Sequence, residues 1–201
     1  PPVIEGAALQ SIVAAFNGGF RSKDAQGGFY SEGIEAVPLR DGAASVVIDQ
    51  AGHVQVGAWG RDVSMTSEIE AVLQNLTLIV DGGEVDPAIN RNDTSAWGAT
   101  LDGQIAVARS GVGVTADGAM VYVAGPALSA RSLADSLRRA GAVRALTLDI
   151  NPTWVTFNFY DHPDPVDPAS VTGYKLYPEM ERPAERYLTP ESRDFFTISL
   201  Y

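Results

Sequence analysis

The sequence predicts an α+β fold: mixed, mainly antiparallel twisted sheets with a few short helices. Three observations carry this. Ala44–Asp49 and His53–Trp59 are apolar runs joined by Gln50-Ala51-Gly52, a hairpin pattern. Gln104–Arg109, continued through Val114, and Ala119–Ala124 flank the turn Ala116-Asp117-Gly118 in the same way. Leu128–Ala140 places Leu133, Ala134 and Leu137 at helical spacing, with Ser129 as N-cap and Gly141 as the residue just past the C-terminus.

The remaining elements follow in chain order. Pro1–Ala15 holds an apolar segment with Ala8, Ile12 and Ala15 at helical spacing. Asn17-Gly18-Gly19 between Phe16 and Phe20 reads as a hairpin turn, or as backbone that approaches a ligand closely. Arg21–Arg40 is a glycine-rich loop with short strands, and it lacks the Lys-Ser/Thr ending of a P-loop. Thr66–Leu73 is expected to be a short helix capped by Ser67, with Glu68 and Glu70 in its first turn. Gln74–Val80 is β-like and ends in the turn Asp81-Gly82-Gly83; Glu84–Gly98 reads as a polar loop. Asn75-Leu76-Thr77 and Asn92-Asp93-Thr94 match the glycosylation sequon. Trp154–Tyr160 alternates as a strand, Asp161–Pro168 and Glu179–Arg193 are Pro-rich loops, and Phe195–Leu200 is a final strand.

The chain has 201 residues and is 45% hydrophobic, enough for a proper core in a single domain spanning 1–201. Its formal net charge of −11 argues against nucleic acid and anionic membrane as partners, while leaving room for a local phosphate pocket. With no cysteine, disulfides, thiolate catalysis and Cys-based zinc sites are excluded. No run is apolar and long enough to span a bilayer. The chain opens on Pro1-Pro2, as expected of a processed or trimmed piece with any signal or anchor segment outside it. The only histidines, His53 and His162, have no evident nucleophile partner, so Ser-His-Asp chemistry is not supported. The Asp-rich loop at Asp161–Pro168 lacks EF-hand spacing, and no metal site is assigned.

Two residues stand out. Arg109 is the one basic residue in an apolar, glycine-rich hairpin, where a guanidinium needs a carboxylate or a ligand anion. Asp149 ends the apolar strand Ala145–Leu148, followed by Asn151 and the ladder-breaking Pro152. A carboxylate held at a strand end is placed for chemistry, or caps a turn. Both readings stay open for each residue.

Several segments together resemble the phosphodiester glycosidase family. They are Ala15-Phe16-Asn17-Gly18-Gly19-Phe20, Ala108-Arg109-Ser110-Gly111-Val112-Gly113 with Asp117-Gly118, and the helix running into Ala145-Leu146-Thr147-Leu148-Asp149. Leu78-Ile79-Val80-Asp81-Gly82 and Arg182-Pro183 fall in the expected order, so the resemblance covers most of the chain from about Ala15. One departure marks a divergent, bacterial-type subgroup. The family's glycine run after Leu-Asp is replaced by Ile150-Asn151-Pro152-Thr153-Trp154, which narrows the site and offers a stacking surface. The family's leading strand is also expected to precede Pro1.

The resemblance implies hydrolysis of a glycosyl-1-phosphodiester in a phosphorylated glycan or cell-envelope polymer, in a secreted or extracytoplasmic setting. It implies no cofactor, with a divalent metal left open. Arg109 would meet the phosphate, assisted by backbone N–H groups of Gly18, Gly19 and Gly111. Asp149 would stabilise the oxocarbenium-like sugar or activate water, with Glu32 or Asp81 as a second carboxylate. Asn17 and Asn151 would orient hydroxyls or water, and Trp154 would stack. The competing class is a non-catalytic carbohydrate or cell-wall polymer binding domain using Trp59, Trp97, Trp154 and Tyr160 as stacking platforms.

Overall fold

The computed structural model describes residues 2–90, 94–98, 100, 103–164, 166–167 and 170–200. The strands are β1 (Ile12–Asn17), β2 (Phe29–Ser31), β3 (Ile34–Val37), β4 (Ala44–Asp49), β5 (Val54–Ala58), β6 (Ile69–Gln74), β7 (Leu78–Asp81), β8 (Glu84–Val85), β9 (Val107–Thr115), β10 (Met120–Leu128), β11 (Ala142–Thr147), β12 (Phe157–Asp161), β13 (Thr172–Lys175) and β14 (Phe195–Ser199). The helices are α1 (Ser22–Ala25), α2 (Thr94–Trp97) and α3 (Ala130–Arg139). Every pairing between these strands is antiparallel, which makes the fold α+β as the hairpin patterns predict. Among the described residues no helix is long and apolar enough to cross a membrane.

The chain divides into two compact units, one of Pro1–Gly18 with Asn151–Tyr201 and one of Gly19–Ile150. In the first, the sheet order is β13-β12-β1-β14. The central strand β1 is almost wholly buried, and Phe16 stacks on its register partners Phe157 and Phe196. Ile4, Ile12, Ala15, Tyr160 and Tyr187 form the core.

The second unit holds two five-stranded sheets, β10-β9-β11-β7-β8 and β3-β2-β6-β4-β5. Helix α3 covers the first. Its Leu133, Ala134 and Leu137 pack on Ile79, Val80, Ala142 and Ala145, so the apolar stripe read from the sequence is the buried face. Both helix ends are closed as their residues predict. The Ser129 hydroxyl accepts from the Ser132 N–H, the Ser132 hydroxyl accepts from the Ser129 N–H, and Gly141 turns out of the helix at φ +99°. The second sheet packs Val47, Trp59, Val63, Ile69 and Val72 together.

Four expectations are corrected. Thr66–Leu73 is not helical: Ile69–Gln74 is the central strand β6, paired with β2 and β4. Two ready-made strand partners outweigh a weak local preference for helix. The helical spacing at Ala8, Ile12 and Ala15 dissolves into a 3-10 turn over Gly6–Gln10 followed by β1. Asn17-Gly18-Gly19 does not close a hairpin, because β1 pairs with β12 and β14 and not with the next strand. Glu84–Gly98 contains β8, a 3-10 turn at Pro87–Asn90 and α2.

Candidate functional site

Arg109 lies on β9, two residues before Gly111 and so on the same face of the strand. A Cβ at Gly111 would meet Leu137 and Leu133, which makes this the face that α3 covers. The Arg109 side chain is 4% exposed. Nε donates to the Leu128 carbonyl at 2.9 Å, just ahead of the α3 N-cap, and Nη1 donates to the Trp97 carbonyl at 3.4 Å. Two backbone carbonyls hold the group in place without matching its charge, and among the described residues it makes no ion pair. Burial alone pulls its pKa below the ordinary arginine value. A guanidinium stays protonated regardless, so the fold keeps a desolvated cation here.

Asp149 follows β11, which pairs with β9 in the register Ala145↔Gly113 and Thr147↔Gly111. Beyond Thr147 the ladder changes. The Leu148 N–H donates to the Ser110 carbonyl, while the Ser110 N–H donates to the Asp149 carbonyl. Two residues thus oppose one, a β-bulge beside Arg109. The Asp149 N–H also donates to Ser110 Oγ at 3.2 Å, and Asp149 Oδ1 accepts from the Ile150 N–H at 2.8 Å. Ser110 therefore grips the Asp149 backbone, and the residue is 4% exposed.

A second clamp comes from Asn75, which is fully buried just past β6. Its Nδ2 donates to the carbonyls of Thr147 (2.7 Å) and Leu148 (3.0 Å), and its Oδ1 accepts from the Phe20 N–H at 3.2 Å. One amide thus ties the Gly19-Phe20 segment to the chain immediately before Asp149. A Cβ on Gly19 would stand 3.1 Å from the Asn75 amide carbon, which explains glycine there. Phe20 and Ile150 both approach Gly98, the neighbour of Trp97, and give this end of the sheet an apolar border. Among the described residues, the buried Thr147 hydroxyl and Trp97 indole N–H have no hydrogen-bond partner. Orphaned polar atoms of this kind are costly and concentrate where ligands bind.

Sequence reasoning noted Asn75 only as part of a sequon; a fully buried, fully engaged amide offers no acceptor for a glycan. Asn92 and Asp93 of the second sequon lie outside the described residues, as do Pro165 and Pro168 of the Asp-rich loop. The signal for Asn75 was available as the polar pair Gln74-Asn75 ending an apolar run. The signal for Ser110 was its place next to Arg109.

The two other carboxylates lie elsewhere. Asp81 sits near the start of β11, bonded to Arg61 at 2.7 Å and 3.7 Å from Arg144. Arg144 precedes Asp149 by five residues, roughly 16 Å of extended chain. Glu32 occupies the exposed β2–β3 turn at φ +53°, and its N–H donates to the Glu70 carbonyl at the far end of β6 from Asn75. Neither carboxylate joins Arg109 and Asp149. Gly111 has strand partners on both sides, Val123 and Thr147, so its place is in the ladder and under α3. A Cβ there would also meet the Leu146 carbonyl at 2.8 Å.

In the other unit, Asn17 is buried at the end of β1; its Nδ2 donates to the Gly18 carbonyl and its Oδ1 accepts from the Thr156 N–H. The Gly18 N–H donates to the Asp194 carbonyl at 3.1 Å, which commits it to the fold. Asn151 forms an Asx turn, with Oδ1 accepting from the Thr153 N–H and its carbonyl from the Trp154 and Val155 N–H groups. The Trp154 indole is covered by the guanidinium groups of Arg182, Arg186 and Arg193. Trp59, Trp97 and Tyr160 are buried. The aromatic platforms expected of a carbohydrate-binding module are thus spent inside the protein or stacked on arginine. Among the described residues no group of three or more His, Asp or Glu side chains gathers as a metal site.

The sequence model of the phosphodiester glycosidase family matches residues 10–149, more than half of the chain. The chain belongs to the phosphodiester glycosidase family. The matched span contains Asn17, Arg109 and Asp149 and ends on Asp149. Among solved structures, the chain is similar to the catalytic domain of zebrafish N-acetylglucosamine-1-phosphodiester alpha-N-acetylglucosaminidase, auto-inhibited by its pro-peptide. The identity is 17% and the TM-score 0.54, over 87% of this chain and 60% of that one. At that identity the likeness concerns the fold. This family member spans about three-fifths of that relative's length. A hypothetical protein from Synechocystis is similar at 12% identity and a TM-score of 0.42, over 78% of this chain and 49% of that one. No curated protein sequence matches the chain.

Proposed function

We propose that the protein hydrolyses a glycosyl-1-phosphodiester bond, releasing the sugar from a phosphate-linked glycan. The observation that carries this reading is the buried Arg109 guanidinium, held by carbonyls, beside a strand bulge that ends on Asp149. A desolvated cation that makes no ion pair among the described residues suits a bound anion, and a guanidinium suits phosphate oxygens.

In this reading the sugar C1–O bond breaks and its electron pair leaves with the phosphate. Arg109 neutralises the charge that grows there. Phosphate is a good leaving group, so a strong general acid is not required. The Asp149 carboxylate faces the oxocarbenium-like C1, or takes a proton from the water that adds to it. Two-carboxylate glycosidases hold their carboxyl groups about 5–9.5 Å apart. Glu32 and Asp81 do not meet that requirement, so Asp149 is assigned the carboxylate role alone. Ser110 and Asn75 act through Asp149 by fixing its backbone.

The test is turnover of a panel of sugar-1-phosphodiesters, with and without chelator. The wild type is expected to release sugar, and Asp149→Asn to lose roughly a hundredfold or more in kcat while keeping its fold. The chelator arm reports whether a divalent ion is also needed. Intact ligand bound after long incubation would favour the carbohydrate-binding class instead, and unchanged turnover in Asp149→Asn would remove Asp149 from the mechanism.

A further inference from the structure

The end of the sheet that carries Arg109 and Asp149 also has an apolar corner. Gly98 sits at φ +86°, and a Cβ there would fall 2.8 Å from Phe20 Cζ and 3.0 Å from Ile150 Cδ1. The two side chains thus rest on one point of the backbone and are at most about 6 Å apart. Both are half-buried, so part of each stays open. Trp97, in the same corner, is 5% exposed and packs in the core under α3.

This corner is tied to both groups assigned to the reaction. The peptide before Gly98 supplies the Trp97 carbonyl that accepts from Arg109 Nη1 at 3.4 Å. The edge of the Phe20 ring is therefore no more than about 11 Å from that nitrogen, a gap that one phosphate and one sugar ring fill. Ile150 follows Asp149 in the chain, and its N–H donates to Asp149 Oδ1 at 2.8 Å. The Phe20 N–H donates to Asn75 Oδ1, and the same amide grips the carbonyls of Thr147 and Leu148 just before Asp149. The backbone that carries the ring is thus fixed before a ligand arrives, which lowers the cost of packing against it.

We infer that Phe20, with Ile150 beside it, is the wall on which the glycosyl unit packs its apolar face, and that this wall selects a neutral pyranose ring. The inference rests on the hydrolysis proposed above and adds the class of sugar to it. Neither side chain has a polar atom, so a hydroxyl turned toward them would be left unmatched. The C–H groups of a pyranose face need no such partner, and they suit the negative face of an aromatic ring. Because Ile150 adjoins Asp149, the contact falls on the sugar side of the bond that breaks, away from the phosphate held by Arg109. A flexible polyol phosphate has no such face, and an acidic sugar would bring a carboxylate to an apolar wall.

The experiment pairs binding with turnover in the whole chain. Calorimetric titration uses glucose 1-phosphate, N-acetylglucosamine 1-phosphate, glycerol 1-phosphate and inorganic phosphate. The wild type is expected to bind at least one of the two sugar phosphates roughly tenfold or more tighter than glycerol 1-phosphate and inorganic phosphate. Phe20→Ala is expected to lose that preference while keeping its affinity for inorganic phosphate. Phe20→Tyr should keep the preference and Phe20→Leu should lose most of it, whereas a purely space-filling role would be served by Leu. On a sugar-1-phosphodiester, Phe20→Ala should raise KM more than it lowers kcat, since the ring meets the bound sugar before and during cleavage. A wild type with no preference for either sugar phosphate, or a preference unchanged in Phe20→Ala, overturns the inference even where hydrolysis is observed. A preference that depends on Phe20 in a chain that cleaves no diester upholds the wall and removes the hydrolysis. Should Phe20→Ala fail to fold, the Leu and Tyr variants decide it: equal preference in both overturns the inference.

Discussion

Asn75 gives the most quantitative prediction. Its amide makes three buried hydrogen bonds, two donated to the carbonyls of Thr147 and Leu148 and one accepted from the Phe20 N–H. Asn75→Ala removes all three, at about 1 kcal/mol per bond, and leaves buried polar groups unmatched at a further cost, so the loss is about 3 kcal/mol or more. Asn75→Asp is expected to be worse at neutral pH. It would set a carboxylate oxygen against two carbonyl oxygens where Nδ2 now stands at 2.7 and 3.0 Å. The introduced carboxyl can relieve this only by holding a proton, so its pKa in the folded chain rises above the unfolded value of about 3.9. The sign follows. The protonated form is favoured by the fold, so the variant is relatively stable below the unfolded pKa. It then loses stability by up to about 1.4 kcal/mol per pH unit as pH rises toward the folded pKa. The assay is urea unfolding of wild type, Asn75→Ala and Asn75→Asp at pH 4 and pH 7. An Asn75→Asp midpoint at or above that of Asn75→Ala at pH 7, or no relative gain at pH 4, would refute the assigned donor geometry.

Three further outcomes are expected. Gly111→Ala should cost about 1–3 kcal/mol in urea unfolding, because the obstruction at 2.8 Å is the Leu146 carbonyl and shortening Leu137 does not clear it. Gly18→Ala should destabilise the chain because a Cβ would fall 1.9 Å from Asp194 Oδ2; adding Asp194→Ala should recover part of the loss, since that side chain is the nearest obstacle. Glu191 combines burial, which raises its pKa, with hydrogen bonds from Arg186 and Ser192 that bring it below the ordinary 4.5. Its contribution is therefore present above that value and lost as pH falls through the lower folded pKa. Glu191→Gln should flatten the acid limb of the stability profile below about pH 4.5 and cost about 3 kcal/mol or more at pH 7, where Arg186 is left buried and unmatched.

Local signals recovered what local physics decides. The α3 caps, its buried stripe and the β9–β10 hairpin were legible because capping, periodicity and turn chemistry act within a few residues. Arg109 and Asp149 were legible as charges set in apolar runs, and both are buried. β6 was not, since Glu68 just before it and Glu70 within it suit a helix start and only the strands on either side make it a strand. Asn75 was hidden because its role depends on carbonyls more than seventy residues away. Trp154 was read as an open stacking face because nothing near it in the chain announces that Arg182, Arg186 and Arg193 cover it. Asp81 and Glu32 looked eligible as turn carboxylates, and the strand lengths remove them from the site.

The central claim is that Arg109 exists to meet the charge of a phosphate. The direct measurement is kcat/KM of wild type and Arg109→Gln on two substrates with the same sugar, a glycosyl-1-phosphodiester and an aryl glycoside whose leaving group is neutral before cleavage. The account predicts a loss of roughly a hundredfold or more on the phosphodiester and a much smaller one on the aryl glycoside. Equal losses on both, or none on the phosphodiester, would contradict it.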